Sequence, residues 1–263
     1  MREFTAEYLE TTREGMWEES RDALAALELD RCERVLDVGA GTGKLTAVLR
    51  EESPGEVVAL DADRQLLGEI PGPRVRGDAT RLPFPDDSFD VVVCQALLVN
   101  LPDPAAAVQE FARVSRGRVA AIEPDNSAVS IESTVEAEAP LARRARESYL
   151  DGVETDASLG AARELFADVG LAGITVDGYE HERRIEPPYT ETALTAAKRK
   201  ASGEGLTSDR TTMLAGATTA EEFDELRQAW REMGRAVIEQ MQTEDYRQRE
   251  VVPFFVTVGS VSP

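Results

Sequence analysis

Apolar runs alternate with amphipathic stretches over the first 120 residues of the chain. The apolar runs predict five strands, over residues 34–39, 56–61, 73–78, 89–95 and 117–124. Apolar residues at helical spacing predict helices over residues 44–52 and 103–114, the second with Asp103 as N-cap and Pro104 directly after it. Strands that alternate with helices predict βα units and a parallel sheet.

The pattern is less regular after Pro124. Ser133 and Glu136 predict a capping box for a helix that ends near Leu150, and a further helix is predicted over residues 158–169. Strands are predicted over residues 174–185 and 251–260, with helices over 190–250 between them. The clearest of these helices begins at a Thr219/Glu222 capping box. It carries an apolar stripe typical of a core face: Phe223, Leu226, Trp230, Met233, Val237 and Met241.

Together these elements predict a single α/β domain over residues 1–263. Its sheet is expected to have seven mainly parallel strands, with helices on both faces. The core takes residues 20–125, 168–189 and 251–263, and a helical cap insertion takes residues 126–167 and 190–250.

The charge balance is strongly acidic, with 50 Asp and Glu residues against 29 Lys and Arg residues and a net charge of −21. Such a surface repels phosphate backbones, so nucleic acid is disfavoured as a partner. Only Lys44, Lys198 and Lys200 are lysines, and acidic chains poor in lysine are typical of salt-saturated cytoplasm. This composition favours a halophilic protein, whose charge would reflect its habitat and would weaken the argument against nucleic acid.

Salt should therefore stabilise the protein. Raising KCl from about 0.1 M to 3 M shortens the Debye length from about 10 Å to 3 Å or less, which relieves the repulsion among acidic side chains. We expect the midpoint of thermal unfolding to rise over this range. A midpoint that stays flat or falls would contradict the halophilic interpretation.

Neither a membrane span nor an export signal is predicted. No apolar run approaches the roughly 18 residues that a spanning helix needs. The first 17 residues alternate charged and apolar side chains and lack the apolar stretch of a secretory signal. A cytoplasmic location without membrane partners is expected.

Few residues could ligate a metal or act as imidazole catalysts. Cys32 and Cys94 lie far from any metal-ligand spacing and are predicted to be buried packing residues. His181 is the only histidine, which excludes sites that need two imidazoles, and we expect it on a strand surface. No metal site is predicted.

Three glycines, Gly39, Gly41 and Gly43, follow the first strand and precede a helix. Glycine at such a turn lets the backbone approach a ligand closely. A phosphate-binding Walker loop would need glycine at Val38 and a hydroxyl residue at Leu45. The dinucleotide fingerprint would need its third glycine at Lys44. The spacing excludes the first and disfavours the second.

Polar residues follow the other strands where their carboxyl ends should meet. Asp61 stands at the carboxyl end of the second strand and is the favoured ribose ligand, whereas Asp63 is expected to begin the next helix. Asp78 is interpreted as a ligand contact or a turn cap, and Gln95 as a ligand contact or a strand-end cap.

The motifs VLDVGAGTGKLT, ALDAD and GDATRLPFPDDSFDVVV occur in this order over residues 35–93. They resemble those of class I S-adenosylmethionine-dependent methyltransferases, of the small-molecule type that includes quinone-ring methyltransferases. The resemblance covers residues 34–124, and its third motif, residues 77–93, is the most specific. It implies a Rossmann-like fold, S-adenosylmethionine as cofactor and a small-molecule acceptor.

The resemblance also implies where the cofactor binds. Asp37 takes the acidic place of the first motif, the glycine loop follows the methionine half, and Gln95 borders the sulfonium. The resemblance also implies that Asp78 and Ala79 contact adenine. It further implies that an N-terminal helix with Tyr8, Arg13 and Trp17 covers the cofactor. The implied cofactor-binding residues are Arg13, Asp37, Gly39, Ala40, Gly41, Asp61, Ala62, Asp78, Ala79 and Gln95.

The chain departs from the family pattern in three places. Asn100 stands where many relatives have histidine, and the loop before the fifth strand is short. The long segment between the last two strands suggests that the helical cap lies over the acceptor site. Direct displacement at a methyl group needs no covalent intermediate, so no catalytic residue is assigned; Glu123, Tyr149 and His181 are candidate bases for which a structural role is favoured.

The sequence leaves three alternatives to a small-molecule methyltransferase. One is a cofactor-binding regulatory or scaffold protein without turnover, and another is an RNA methyltransferase. A nicotinamide dehydrogenase is disfavoured by the glycine spacing. The acceptor and the oligomeric state are left open.

Overall fold

The computed structural model describes residues 16–153, 155 and 162–261 of the chain. These residues form two compact units. The first unit contains residues 16–125, 162–181 and 253–261, and the second contains residues 126–153, 155 and 182–252.

Eight strands are present among the described residues. They are β1 Arg34–Val38, β2 Glu56–Asp61, β3 Arg74–Arg76, β4 Phe89–Gln95, β5 Ser115–Pro124, β6 Ser130–Ser133, β7 Ala172–Ile185 and β8 Gln248–Ser260. The first five are parallel in the order β3-β2-β1-β4-β5, and β8 lies antiparallel to β5 and also pairs with β7. The mainly parallel α/β sheet predicted from the sequence is confirmed.

The described residues also include nine α-helices. They are α1 Met16–Glu19, α2 Lys44–Glu52, α3 Arg64–Glu69, α4 Pro104–Val114, α5 Glu138–Asp151, α6 Arg163–Asp168, α7 Glu191–Ser202, α8 Glu204–Met213 and α9 Ala220–Gln242. The predicted caps are present, since Asp103 accepts a hydrogen bond from Ala106 N and Thr219 forms a capping box with Glu222.

Helices cover both faces of the sheet in the first unit. On one face, Val108 and Phe111 of α4 pack with Leu36 of β1. On the other face, Leu67 and Ile70 around α3 pack with Ala59 of β2. Consecutive strand residues point to opposite faces, so a parallel strand that is buried on both sides is apolar at nearly every position.

The eighth strand, beyond the seven that the sequence predicts, is β6, which lies where the sequence predicts the start of a helix. Residues 130–133 pair antiparallel with residues 248–251 of β8, which are remote in sequence. The predicted Ser133/Glu136 capping box is wrong. Ser133 instead ends the strand and donates a hydrogen bond of 2.6 Å to Glu138, where α5 begins.

The second unit has its own apolar core. The α9 stripe contributes Phe223 and Leu226 to a cluster with Leu206 and Met213 of α8. Val237 and the other residues near the end of α9 pack with α7. The stripe is therefore core, as predicted. The role of this unit as a cap over an acceptor stays a prediction.

None of the helices among the described residues is both long and apolar enough to cross a membrane. Cys32 and Cys94 are buried and free, as predicted.

Candidate functional site

The carboxyl ends of the parallel strands in the first unit meet at one edge. Val38, Leu60 and Cys94 lie at matching positions of β1, β2 and β4. Gln95 pairs in the same way with Ile122 of β5. The residues that directly follow these strands are therefore neighbours, and open α/β sheets bind their ligands at this edge.

The glycine loop follows β1 and turns tightly at this edge. Gly39 N and Ala40 N both donate to Leu60 O, at 2.8 and 3.0 Å. Gly39 has a φ of +73°, and a Cβ placed there would lie 2.9 Å from Leu97 Cδ1. Residues with a side chain rarely adopt that backbone conformation, so the turn favours glycine, and a Cβ there would also displace the Leu97 side chain.

Asp37 anchors the loop from within the sheet. Its side chain is only 1% exposed, and it accepts a hydrogen bond of 2.5 Å from Thr46 Oγ1 of α2. This bond ties β1 to the helix that follows the loop. The observed contact is structural, and a role of Asp37 in cofactor binding stays a prediction.

Asp61 is placed at the end of β2, beside the glycine loop. Its Oδ2 accepts a hydrogen bond of 2.8 Å from Gly41 N, and its Oδ1 accepts one of 2.8 Å from Asp63 N. A carboxylate has about four acceptor positions, so both oxygens can still accept from a ligand hydroxyl. The half-buried side chain thus joins the two loops and keeps acceptor capacity for a ribose.

Asp63 begins the next helix, as predicted. Its Oδ1 accepts hydrogen bonds from Gln65 N at 2.7 Å and from Leu66 N at 3.4 Å, which caps α3. Ala62 stands between the two aspartates and accepts a hydrogen bond of 3.0 Å from Arg76 Nε through its carbonyl.

Asp78 and Ala79 follow β3. Asp78 Oδ1 accepts hydrogen bonds from Thr80 N and Thr80 Oγ1, at 2.9 and 2.8 Å, and these bonds hold the pKa of the exposed carboxyl below its usual value. The structure thus contains the turn cap that the sequence suggested as an alternative. Ala79 is buried in the adjoining core. Their contact with adenine stays a prediction.

Gln95 ends β4 and is 2% exposed. Its Nε2 lies 2.6 Å from Met16 Sδ, so α1 packs against this edge of the sheet. Trp17, next in α1, is buried and its ring lies 6.2 Å from that of Tyr179. Tyr8 and Arg13, which the resemblance places over the cofactor, lie outside the described residues.

The three candidate bases lie in different environments. Glu123 is fully buried near the end of β5, and burial raises its pKa to about 7 against the effect of backbone hydrogen bonds. His181 is only 4% exposed, with its ring 6.4 Å from that of Phe254, so its predicted position on a strand surface is wrong. Tyr149 belongs to α5 of the second unit.

Two features of this edge were not identified from the sequence. Glu123 binds the turn that follows β4, and Leu97 of that turn packs on Gly39. An acidic residue in an apolar strand was the only available signal for the first feature. The role of Leu97 has no signal in the sequence, because nothing distinguishes it from the other leucines of the same apolar segment.

Comparison with known proteins gives a consistent result for this unit. Residues 36–121 match a family model described as a methyltransferase domain. A demethylmenaquinone methyltransferase of Mycobacterium sp. (strain KMS) is 42% identical over 99 residues, which is 36% of this chain and 43% of the relative. The corresponding enzyme of Roseiflexus castenholzii is 41% identical over 117 residues, which is 41% of this chain and 48% of the relative.

The whole chain also resembles solved structures. A candidate methyltransferase of Bacillus halodurans superimposes with a TM-score of 0.54 and 17% identity, over 94% of this chain and 100% of that one. At that identity the likeness concerns the fold alone. The chain spans less than half the length of each of the two curated relatives described above.

Proposed function

We propose that this chain, whose residues 36–121 match a methyltransferase domain, is a class I S-adenosylmethionine-dependent methyltransferase that transfers a methyl group to a small-molecule acceptor. The observation that carries the proposal is the hydrogen bond of 2.8 Å between Gly41 N and Asp61 Oδ2. This bond joins the glycine loop, which a ligand can approach closely, to Asp61, the proposed acceptor of the ribose hydroxyls. Both lie at the edge of the sheet where such folds bind their ligands.

The residues at this edge fit S-adenosylmethionine. Gly39 and Gly41 have positive φ values and carry no side chains, so the loop presents backbone that a ligand can approach closely. Asp61 keeps free acceptor positions, and the glycines follow G-x-G-x-G spacing rather than the dinucleotide fingerprint. In the proposed site, Gly39–Gly41 follow the methionine half, Asp61 and Ala62 bind at the ribose, and Asp78 and Ala79 flank adenine.

The bound cofactor supplies a methyl group on a positively charged sulfur, which an acceptor nucleophile can attack in line. The contribution of the protein is to orient the two reactants. Well-oriented reactants can gain up to about 7–11 kcal/mol in the most favourable cases, so the reaction needs no catalytic side chain. Gln95 is buried against Met16 of α1, so the end of β4, where the sulfonium is expected, is shielded from solvent.

A small-molecule acceptor is supported by two observations. The relatives at 41–42% identity are demethylmenaquinone methyltransferases, whose acceptor is a small molecule. The net charge of −21 disfavours the phosphate backbone of RNA. Because the match covers only part of each relative, the acceptor is proposed as a class and not as one compound.

Isothermal titration and a methyl-transfer assay test this function. We expect S-adenosylmethionine and S-adenosylhomocysteine to bind, and NAD and NADP not to bind. When the cofactor carries a labelled methyl group, we expect label in a small-molecule extract and none in total RNA. Each reaction is compared with one that lacks an acceptor. If NAD binds and S-adenosylmethionine does not, the family assignment is contradicted. Label in RNA would change the acceptor class. Binding of S-adenosylmethionine without methyl transfer to any extract would favour a regulatory protein.

A further inference from the structure

Glu123 makes an unusual set of contacts near the end of β5. Its carboxylate is fully buried and accepts hydrogen bonds from three consecutive backbone amides of the turn after β4. Leu97 N and Leu98 N donate to Oε1 at 3.0 and 2.9 Å, and Val99 N donates to Oε2 at 3.4 Å. Cys94 Sγ also donates to Oε1, at 3.6 Å. One buried carboxylate thus fixes the backbone of this turn.

The same turn forms a wall of the glycine loop. Ala96, at its start, has a φ of +48° and donates to Ile122 O at 2.8 Å. The next residue, Leu97, places its side chain where a Cβ on Gly39 would have to fit. The position of Leu97 therefore depends on Glu123, and the space beside Gly39 depends on Leu97.

We propose that Glu123 is a positioning residue for the cofactor, whose ionised carboxylate holds the turn at residues 97–99 so that Leu97 supports the glycine loop in its binding conformation. This inference rests on the proposed function. A protonated acid or an amide keeps one acceptor oxygen and has a hydrogen-bond donor at the other position, so either would lose part of the contacts that hold the turn.

The ionisation of Glu123 should fall within an accessible pH range, because burial raises its pKa to about 7. The titratable groups near it are Cys94 on β4, whose pKa burial also raises, and Asp37 on β1, which acts on that thiol. The other neighbours do not titrate in this range: the turn consists of Leu97, Leu98, Val99 and Asn100, and Phe255 of β8 pairs with Glu123. Cofactor affinity should therefore depend on the charge of this one carboxylate.

Stability and affinity should respond to this ionisation with opposite signs. The pKa of Glu123 is raised in the folded protein above the value of about 4.3 expected in the unfolded chain. Its contribution to stability is therefore complete below that unfolded value and is lost as the pH rises through about 7. Affinity for the cofactor should instead increase over the same rise, since the ionised form holds the turn.

Titration of S-adenosylhomocysteine between about pH 6 and pH 8 tests the inference. If only the ionised form is competent, the competent fraction rises from about one eleventh to about ten elevenths, so Kd falls about tenfold. Glu123→Gln should bind weakly and without this pH dependence. Glu110→Gln replaces a glutamate that also accepts a backbone hydrogen bond, from Leu82 N at 2.8 Å in the first unit, and should keep the wild-type profile.

If Glu123→Gln fails to fold, the variant Cys94→Ala tests the same inference. The Cys94 thiol lowers the pKa of Glu123 by donating to it, so Cys94→Ala should move the midpoint of the pH profile upward. A role in packing alone would not move that midpoint. Tight binding with a flat wild-type profile, or an unmoved midpoint in Cys94→Ala, would overturn this inference alone. Absence of binding at every pH would overturn the proposed function as well.

Discussion

Replacing Asp61 with alanine is expected to weaken binding of S-adenosylhomocysteine roughly ten- to two-hundred-fold. That range corresponds to about 1.5–3 kcal/mol, the contribution of hydrogen bonds to a charged group. The variant loses the proposed ribose contacts, and it also leaves Gly41 N and Asp63 N without their present acceptor. Both losses act on the same ligand site, and isothermal titration measures their sum.

Asp63→Ala is the matched control. Asp63 lies two residues further along the same loop and accepts hydrogen bonds from the first turn of α3. Its removal should cost about 1 kcal/mol of stability through the lost cap. Affinity should change by less than about threefold. A larger effect on affinity from Asp63 than from Asp61 would contradict the assignment of the ribose ligand.

Replacing Lys200 with methionine is expected to lower the free energy of unfolding by about 3 kcal/mol. Lys200 donates to Glu138, which is 1% exposed, and the lysine side chain itself is 19% exposed. Tyr246 OH also donates to Glu138, at 2.9 Å to Oε2. Without the lysine, the buried carboxylate keeps its hydrogen bonds from Tyr246 and Ser133 but loses the one from Lys200 together with its counter-charge. Removing one partner of a buried pair in this way is strongly destabilising.

Lys198 provides the control, because it lies on the same helix, α7, and is exposed. Lys198→Met should change stability by no more than about 0.5 kcal/mol. Urea unfolding of the full chain can be followed by Trp230 of α9 in a Trp17→Phe background, since the chain has 2 tryptophans. The double variant Glu138→Gln, Lys200→Met should recover part of the loss, and equal effects of the two single lysine variants would contradict this description of Glu138.

The elements predicted well from the sequence are those with a local cause. The apolar runs of β1, β2 and β4 are buried on both faces, so their sequences alone indicate strands. The caps at Asp103 and Thr219 act within one helical turn. The same holds for Asp63, whose cap was predicted from its place in the loop after β2.

The features that were missed depend on residues remote in sequence. β6 has four residues, and its partner lies in β8, far along the chain. His181 is buried because β7 packs beside β8, where Phe254 meets its ring. Glu123 acts on backbone amides of residues 97–99, and an amide carries no side-chain signal. Local patterns cannot specify such contacts, which arise only when the sheet is assembled.

A crystal structure of the chain with S-adenosylhomocysteine tests the central claim most directly. The account predicts that the ribose hydroxyls donate to Asp61, that the adenine lies between Ala62 and Ala79 near Asp78, and that the thioether sulfur lies beside Gln95. The backbone of Gly39–Gly41 should follow the homocysteine portion without an intervening side chain. A ligand bound away from this edge, or bound here with its ribose on other residues while Asp61 contacts only Gly41 and Asp63, would contradict the account.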